Sequence, residues 1–122
     1  LLVATNRNDI LTRFFETGVY RKSAVEPSLS PSMDIQVASN FERLLFELLE
    51  RNGAAVTALM AEFAERGEFA LDARRMAEAQ SLYRGFRVDD AATLATIAAV
   101  ARASGRVVDP HSATGIAAAK GA

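Results

Sequence analysis

Hydrophobic positions along the chain fall into short blocks whose spacing changes from one block to the next. The first block, Leu1-Leu2-Val3-Ala4-Thr5, is continuous and stops at the polar cluster Asn6-Arg7-Asn8-Asp9. A short run without alternation predicts a strand buried on both faces, as in a parallel sheet. Ile10, Leu11, Phe14 and Phe15 then recur at helical spacing until Gly18, with Asp9 placed to cap the helix through its carboxylate. Between Val19 and Ala38 the pattern breaks: Pro27, Pro31 and four serines are interspersed, and Met33, Ile35 and Val37 alternate with Asp34, Gln36 and Ala38. This predicts an ordered loop, long for a compact domain, and loops of that length carry function or belong to a larger frame.

Beyond the loop the period is helical almost throughout. Ser39 and Glu42 have the spacing of a capping box, and Phe41, Leu44, Leu45, Leu48 and Leu49 follow as one apolar stripe. Asn52-Gly53 ends or kinks this helix, and Val56, Leu59, Met60 and Phe63 mark another that closes near Gly67. Leu71 to Tyr83 predicts a helix with Met76, Ala79 and Leu82 on one side. Asp89 caps the next, with Leu94, Ile97, Ala98 and Ala101 on its apolar face and Gly105 as its stop. Val107-Val108 is a brief extended segment, and Asp109-Pro110 opens the last helix. The expected class is therefore α/β but mostly helical, with five or six helices and one N-terminal strand of parallel type. A lone strand leaves its backbone N–H and C=O groups without ladder partners, so its companions are expected to come from elsewhere. The opening at Leu1, without Met and inside an apolar run, suggests the same.

Composition narrows the function classes. Half of the residues are apolar, enough for a core, which argues against wholesale disorder. Fourteen Lys plus Arg against fifteen Asp plus Glu leave a net charge of -1, so no basic stripe for nucleic acid is expected. No apolar run approaches the roughly 20 residues of a membrane span, and no signal peptide is recognisable, so a soluble chain is expected. With no Cys and the single His111, neither disulfides nor a closed zinc site is expected, and a cytoplasmic location is compatible.

Two clusters carry the candidate chemistry. In open α/β sheets ligands lie beyond the carboxyl ends of the strands, where Thr5, Asn6, Asn8 and Asp9 fall here. The plainer alternative is that Asp9 or Asn8 caps the next helix and the others finish a turn. At the far end, Asp109-Pro110-His111-Ser112-Ala113-Thr114-Gly115 puts a carboxylate, an imidazole and hydroxyls on a first helical turn. Free N–H groups there favour either an anionic ligand or a helix-end carboxylate, and an ordinary Asp109 cap is the simpler reading. Lys22 and Lys120 are expected to be solvated, as is the Arg74-Arg75 pair, and Ser30, Ser32 and Ser112 have no base nearby in sequence except His111. The seven glycines are scattered and form no phosphate-binding loop.

Four segments in order then carry a resemblance: Ala4-Thr5-Asn6-Arg7-Asn8-Asp9, Leu29-Ser30-Pro31-Ser32-Met33-Asp34-Ile35, Ser39-Asn40-Phe41-Glu42-Arg43 and Asp109-Pro110-His111-Ser112-Ala113. Together they resemble successive landmarks of threonine synthase, over essentially the whole chain. The last is shared with other pyridoxal-phosphate enzymes; the serine-rich loop followed by Asn-Phe-Glu-Arg is the specific part.

The resemblance implies a late internal segment, residues 1–122, of the large cofactor-binding domain of an enzyme with the tryptophan-synthase-β-like fold (fold type II). Its implied cofactor is pyridoxal 5'-phosphate, and its implied reaction turns O-phospho-L-homoserine and water into L-threonine and phosphate. The implied partners are that substrate and the remainder of the same enzyme. The family's cofactor lysine, its glycine-rich phosphate loop and its substrate loop would lie upstream of Leu1, and its pyridine-nitrogen partner just past Ala122. The segment alone is therefore expected to be inactive. Carried over by position, Asp109, His111 and Ser112 are expected near the cofactor, and Asn6, Asp9 and Ser32 near the substrate. Two other readings remain: an independent helical interaction module using the Phe41 to Leu49 stripe, and another amino-acid lyase of the same fold.

Overall fold

The computed structural model describes residues 1–122 as six α-helices and four short strands. In chain order these are β1 (Leu2–Thr5), α1 (Ile10–Thr17), β2 (Val19–Arg21), α2 (Phe41–Leu48), α3 (Gly53–Arg66), β3 (Glu68–Ala70), α4 (Ala73–Leu82), β4 (Arg84–Arg87), α5 (Asp90–Ser104) and α6 (Pro110–Gly121), with a 3-10 turn at Pro31–Met33 inside the long loop. The helices follow the apolar period closely. Three strands do not, and they correct the expectation of a single one.

β1 finds a companion within the chain: it runs parallel to β4, from Leu2 opposite Arg84 to Thr5 opposite Arg87. The pair is only two strands wide, and Leu1 and Leu2 are exposed, so β1 is not covered on both faces as its sequence suggests. α1 crosses close over β4 because residue 85 is glycine; a Cβ there would lie 2.6 Å from the Thr12 Cα. β2 and β3 form a second, antiparallel pair with Tyr20 opposite Phe69. Val107-Val108, expected to be extended, belongs to no strand.

That antiparallel pair organises the core. Tyr20 stacks on Phe41 with ring centroids 4.8 Å apart and meets Phe69 at 5.2 Å and Phe63 at 5.0 Å. Phe14 closes the cluster edge-on against Phe41 at 4.7 Å. Offset and edge contacts of this kind add about 1 kcal/mol per pair beyond the area buried. Phe41, Leu45, Leu48 and Leu49 are buried in this cluster, so core packing accounts for the stripe that suggested a partner-binding face.

Helix ends show which local signals were decisive. Asp72, Asp89 and Asp109 cap α4, α5 and α6, and Asn52 caps α3 by accepting from the Ala55 N–H at 3.1 Å, starting a helix rather than kinking one. Asp9 makes no such bond to α1; its carboxylate takes the Arg13 Nε at 2.8 Å instead. The Ser39–Glu42 box does not form either. Asn40 already has helical dihedrals, and the first turn of α2 is entered through backbone bonds to the Ala38, Ser39 and Asn40 carbonyls.

α6 packs against α5 and β1, which brings its N-terminus to the long loop. Ala113 and Ala118 permit this close approach, and the buried Thr93 and Thr114 hydroxyls donate to carbonyls one turn back. No helix is long and apolar enough to cross a membrane.

Candidate functional site

Asn6 is the first residue beyond β1 and is buried. Its side-chain nitrogen faces Asp34 Oδ1 at 2.7 Å, Ser28 Oγ at 2.8 Å and Ser30 Oγ at 3.0 Å. Its Oδ1 accepts from the Asn8 N–H at 2.8 Å, closing a tight turn. Asn8 is buried too; it donates to the Glu26 carbonyl and accepts from the Glu26 N–H, both at 2.8 Å. The Asn8 amide therefore holds the loop backbone as a ladder partner would, while the Asn6 amide holds the loop's side chains.

Asp34 is the hub of this network. Oδ1 accepts from Asn6, from Asn8 at 3.0 Å and from the Ser28 hydroxyl at 2.6 Å, and Oδ2 accepts from the Ser28 N–H at 2.9 Å. Partial burial pushes the carboxyl upward, but the Ser28 hydroxyl and N–H, the Asn6 amide and the charge of Arg7 outweigh it and hold Asp34 below the usual carboxylate range. Asp90 adds a second tie, accepting from Arg7 Nη2 at 2.6 Å and from the Leu29 N–H at 3.2 Å. Inside the loop, Ser30, Met33, Asp34 and Ile35 donate to Ser28 Oγ and to the carbonyls of Ser30, Pro31 and Met33. Every backbone N–H from Ser28 to Ile35 thus has a partner, and order comes without strand or long helix.

The remaining N–H of that stretch, Ser32, reaches α6: it donates to His111 Nε2 at 3.2 Å. The other ring nitrogen, Nδ1, lies 3.1 Å from Asp109 Oδ1. Asp109 also receives the His111 and Ser112 N–H groups at 2.9 and 3.2 Å and the Ser112 hydroxyl at 2.6 Å. Those bonds, the Ser112 hydroxyl first, hold its carboxyl down at about 2. Of the two possibilities for this helix N-terminus, the chain's own carboxylate is the one realised.

The sequence-derived candidates therefore separate into three places. Asn6 lies in the Asp34 network; Ser32, Asp109, His111 and Ser112 come together at the junction of loop and α6; Asp9 stands apart, between Arg13 and Arg87 at 2.8 and 3.6 Å. Sequence reasoning missed Asp34 as the hub, along with Ser28, Gln36 and the Arg7–Asp90 pair. Ser-x-Ser-Pro-Ser-x-Asp is dense in residues that bond to nearby backbone, and that density was the available signal.

The sequence matches threonine synthase of Pseudomonas aeruginosa at 52% identity over 98% of this chain and 26% of the relative. The Saccharomyces cerevisiae threonine synthase matches at 36% over 97% of the chain and 26% of the relative. A crystal structure of PLP-bound threonine synthase from Brucella melitensis superposes with a TM-score of 0.94 at 43% identity, covering 99% of this chain and 26% of that one. The chain is a homologue of one segment of threonine synthase. It spans about a quarter of the length of these relatives, and the superposition makes its mixed helix and strand architecture a fragment of the threonine synthase fold. The yeast threonine synthase structure agrees, with a TM-score of 0.92 at 35% identity over 98% of this chain and 26% of that one. No family model matches the chain.

The residues present do not by themselves fit the cofactor of that structure. Lys22 and Lys120 are both exposed and lie outside the network. The α6 N–H donors are engaged by Asp109, and the cavity beside Thr5, Asn8 and Ser32 has a volume of about 130 Å³, well below the roughly 300–1,000 Å³ of small-molecule sites. A larger groove of about 660 Å³, between Val3, Phe41 and Tyr83, contains none of the candidate residues. No group of His, Asp and Glu could hold a metal ion.

Proposed function

We propose that this chain is a late internal segment of a cytoplasmic threonine synthase, from its large cofactor-binding domain. The intact enzyme would use pyridoxal 5'-phosphate to convert O-phospho-L-homoserine and water into L-threonine and phosphate. The observation that carries the reading is the match, 43% identical over 99% of the chain, to a threonine synthase whose structure holds PLP. The cofactor lysine belongs, on this reading, to polypeptide outside these residues, and the segment alone is inactive.

The segment's own contribution is positional. Asn6 and Asp34 fix the serine-rich loop at the carboxyl end of β1, the edge where ligands of parallel sheets bind. We assign Asn6, Asp9 and Ser32 to the substrate side and Asp109, His111 and Ser112 to the cofactor side of the completed site. Their side chains would set hydrogen bonding around the ligands and exclude water rather than attack substrate.

A polypeptide extended upstream to include the family's lysine and phosphate loop and downstream to include its pyridine-nitrogen partner, loaded with pyridoxal phosphate, should release phosphate from O-phospho-L-homoserine. The 122-residue chain should release none and should show no stoichiometric cofactor absorbance through Lys22 or Lys120. An extended, cofactor-loaded protein that leaves O-phospho-L-homoserine intact would reject the assignment.

A further inference from the structure

We propose that His111 is a proton-sensitive clamp: its neutral ring, held as the Nδ1–H tautomer by Asp109, accepts the Ser32 N–H through Nε2, and a second proton on the ring releases the Ser32 N–H from α6. This goes beyond the enzymatic reading and does not depend on it.

The tautomer follows from hydrogen-bond accounting. A backbone N–H can only donate, so the atom facing Ser32 at 3.2 Å must present a lone pair. A neutral imidazole then carries its one proton on Nδ1, which lies 3.1 Å from Asp109 Oδ1, an acceptor. Asp109 itself is fixed by the α6 N-terminus, whose His111 and Ser112 N–H groups it receives. The geometry thus favours one of the two tautomers.

Release follows from the same accounting. Protonation puts a hydrogen on Nε2, so two donors face each other, while the Nδ1–H to Asp109 contact becomes an ion pair. The α6 cap is kept and the Ser32 tie is lost. Asp109 is the charged group within ion-pairing distance of the ring. Of the acidic groups on the loop and α5, Asp34 is engaged with Asn6 and Ser28, and Asp90 with Arg7. β1 contributes no charged residue. The turn that would move is otherwise closed on itself, since Met33 and Asp34 donate to the Ser30 and Pro31 carbonyls. Its two ends stay anchored to β1 through the Asn6 bonds to Ser30 and Asp34, so what is released from α6 is the Ser32 N–H at the turn's centre and not the loop as a whole.

Nitrogen-15 NMR of the full chain tests the tautomer directly and needs no variant. The neutral ring should show a protonated Nδ1 and an unprotonated, hydrogen-bonded Nε2. Amide exchange at Ser32, corrected for its intrinsic pH dependence, should accelerate on the order of fivefold as the ring takes its second proton. His111→Gln retains an acceptor at the Nε2 position and should keep slow exchange with no pH response. His111→Asn reaches Asp109 but not Ser32 and should exchange fast at every pH. An Nε2–H tautomer in the neutral state, or Ser32 exchange that is indifferent both to ring protonation and to His111→Asn, would overturn the proposal.

Discussion

The Asn6 amide and the Asp34 carboxylate meet at 2.7 Å across 28 positions of sequence, joining the end of β1 to the middle of the long loop. Removing the donor leaves a partly buried carboxylate short of a bond, and hydrogen bonds to charged groups contribute about 1.5–3 kcal/mol. Asn6→Ala should therefore lower the urea-unfolding free energy by about 2 kcal/mol. Asn6→Asp should cost more at neutral pH, because it sets two carboxylates against each other. That excess should shrink on acidification, when one of them takes a proton and becomes a donor again. Equal losses for the two variants at all pH values would contradict the geometry.

Asp34 also fixes the direction of an acid response. Its carboxyl is held below the ordinary 3.8, so its contribution is complete above that value and is lost as pH falls through the depressed folded value. The Ser28 amide, which donates to Asp34 Oδ2, should stay protected against exchange down to the ordinary carboxylate range and lose protection below it. Asp34→Asn should abolish this step. The Ser32 amide donates to His111 instead and has no bond to Asp34. Loss of Ser28 protection already above the carboxylate range would mean that Asp34 is not the hub.

Which parts of the fold were legible in the sequence follows from how local each determinant is. Asp89 and Asp109 cap helices with residues three or fewer positions away, and Leu45 and Leu48 share a face by period alone, whereas the equally local Asp9 and Ser39 caps gave way to other bonds. β2, β3 and β4 have three or four residues each, with charged members such as Arg21, Glu68, Arg84 and Arg87. No period can be read over so few positions. Their pairing depends on Tyr20 meeting Phe69, or Val3 meeting Gly85, far along the chain. The candidate site divides in the same way. Asn6 and Asp109 stood out by position at a strand end and a helix start, whereas the Asp34 hub and the Ser32–His111 contact arise only when distant segments converge.

Gly85 tests the packing of α1 over β4. A Cβ at this position would stand 2.6 Å from the Thr12 Cα and 3.2 Å from the Thr12 carbonyl oxygen, both backbone atoms that cannot swing aside. The helix must lift, which also strains the 2.6 Å contact between the Thr5 and Thr12 hydroxyls. Gly85→Ala should destabilise by about 2–3 kcal/mol, the upper part of the range for overpacking, although alanine has the better intrinsic propensity. Gly53→Ala, where the added Cβ meets nothing within 4 Å, is the control and should change stability by less than about 1 kcal/mol. Similar unfolding midpoints for the two variants would show that α1 and β4 are not in close contact.

Tyr20 couples the aromatic core to the loop through one oxygen. Its hydroxyl accepts from the Ala38 N–H at 2.9 Å while its ring stacks on Phe41. Tyr20→Phe keeps the ring contacts and deletes the acceptor, so about 1 kcal/mol should be lost and Ala38 exchange should accelerate. Tyr20→Ala also removes the ring and should cost about 3–5 kcal/mol. Burial raises the phenol above its ordinary 10.0, outweighing the Ala38 hydrogen bond that lowers it. The neutral form is thus favoured in the folded chain, and its contribution is complete below pH 10 and lost as pH rises toward the elevated folded value. Wild-type protein should consequently lose stability in alkali more steeply than Tyr20→Phe. Parallel alkaline profiles would place Tyr20 in contact with solvent rather than in the core.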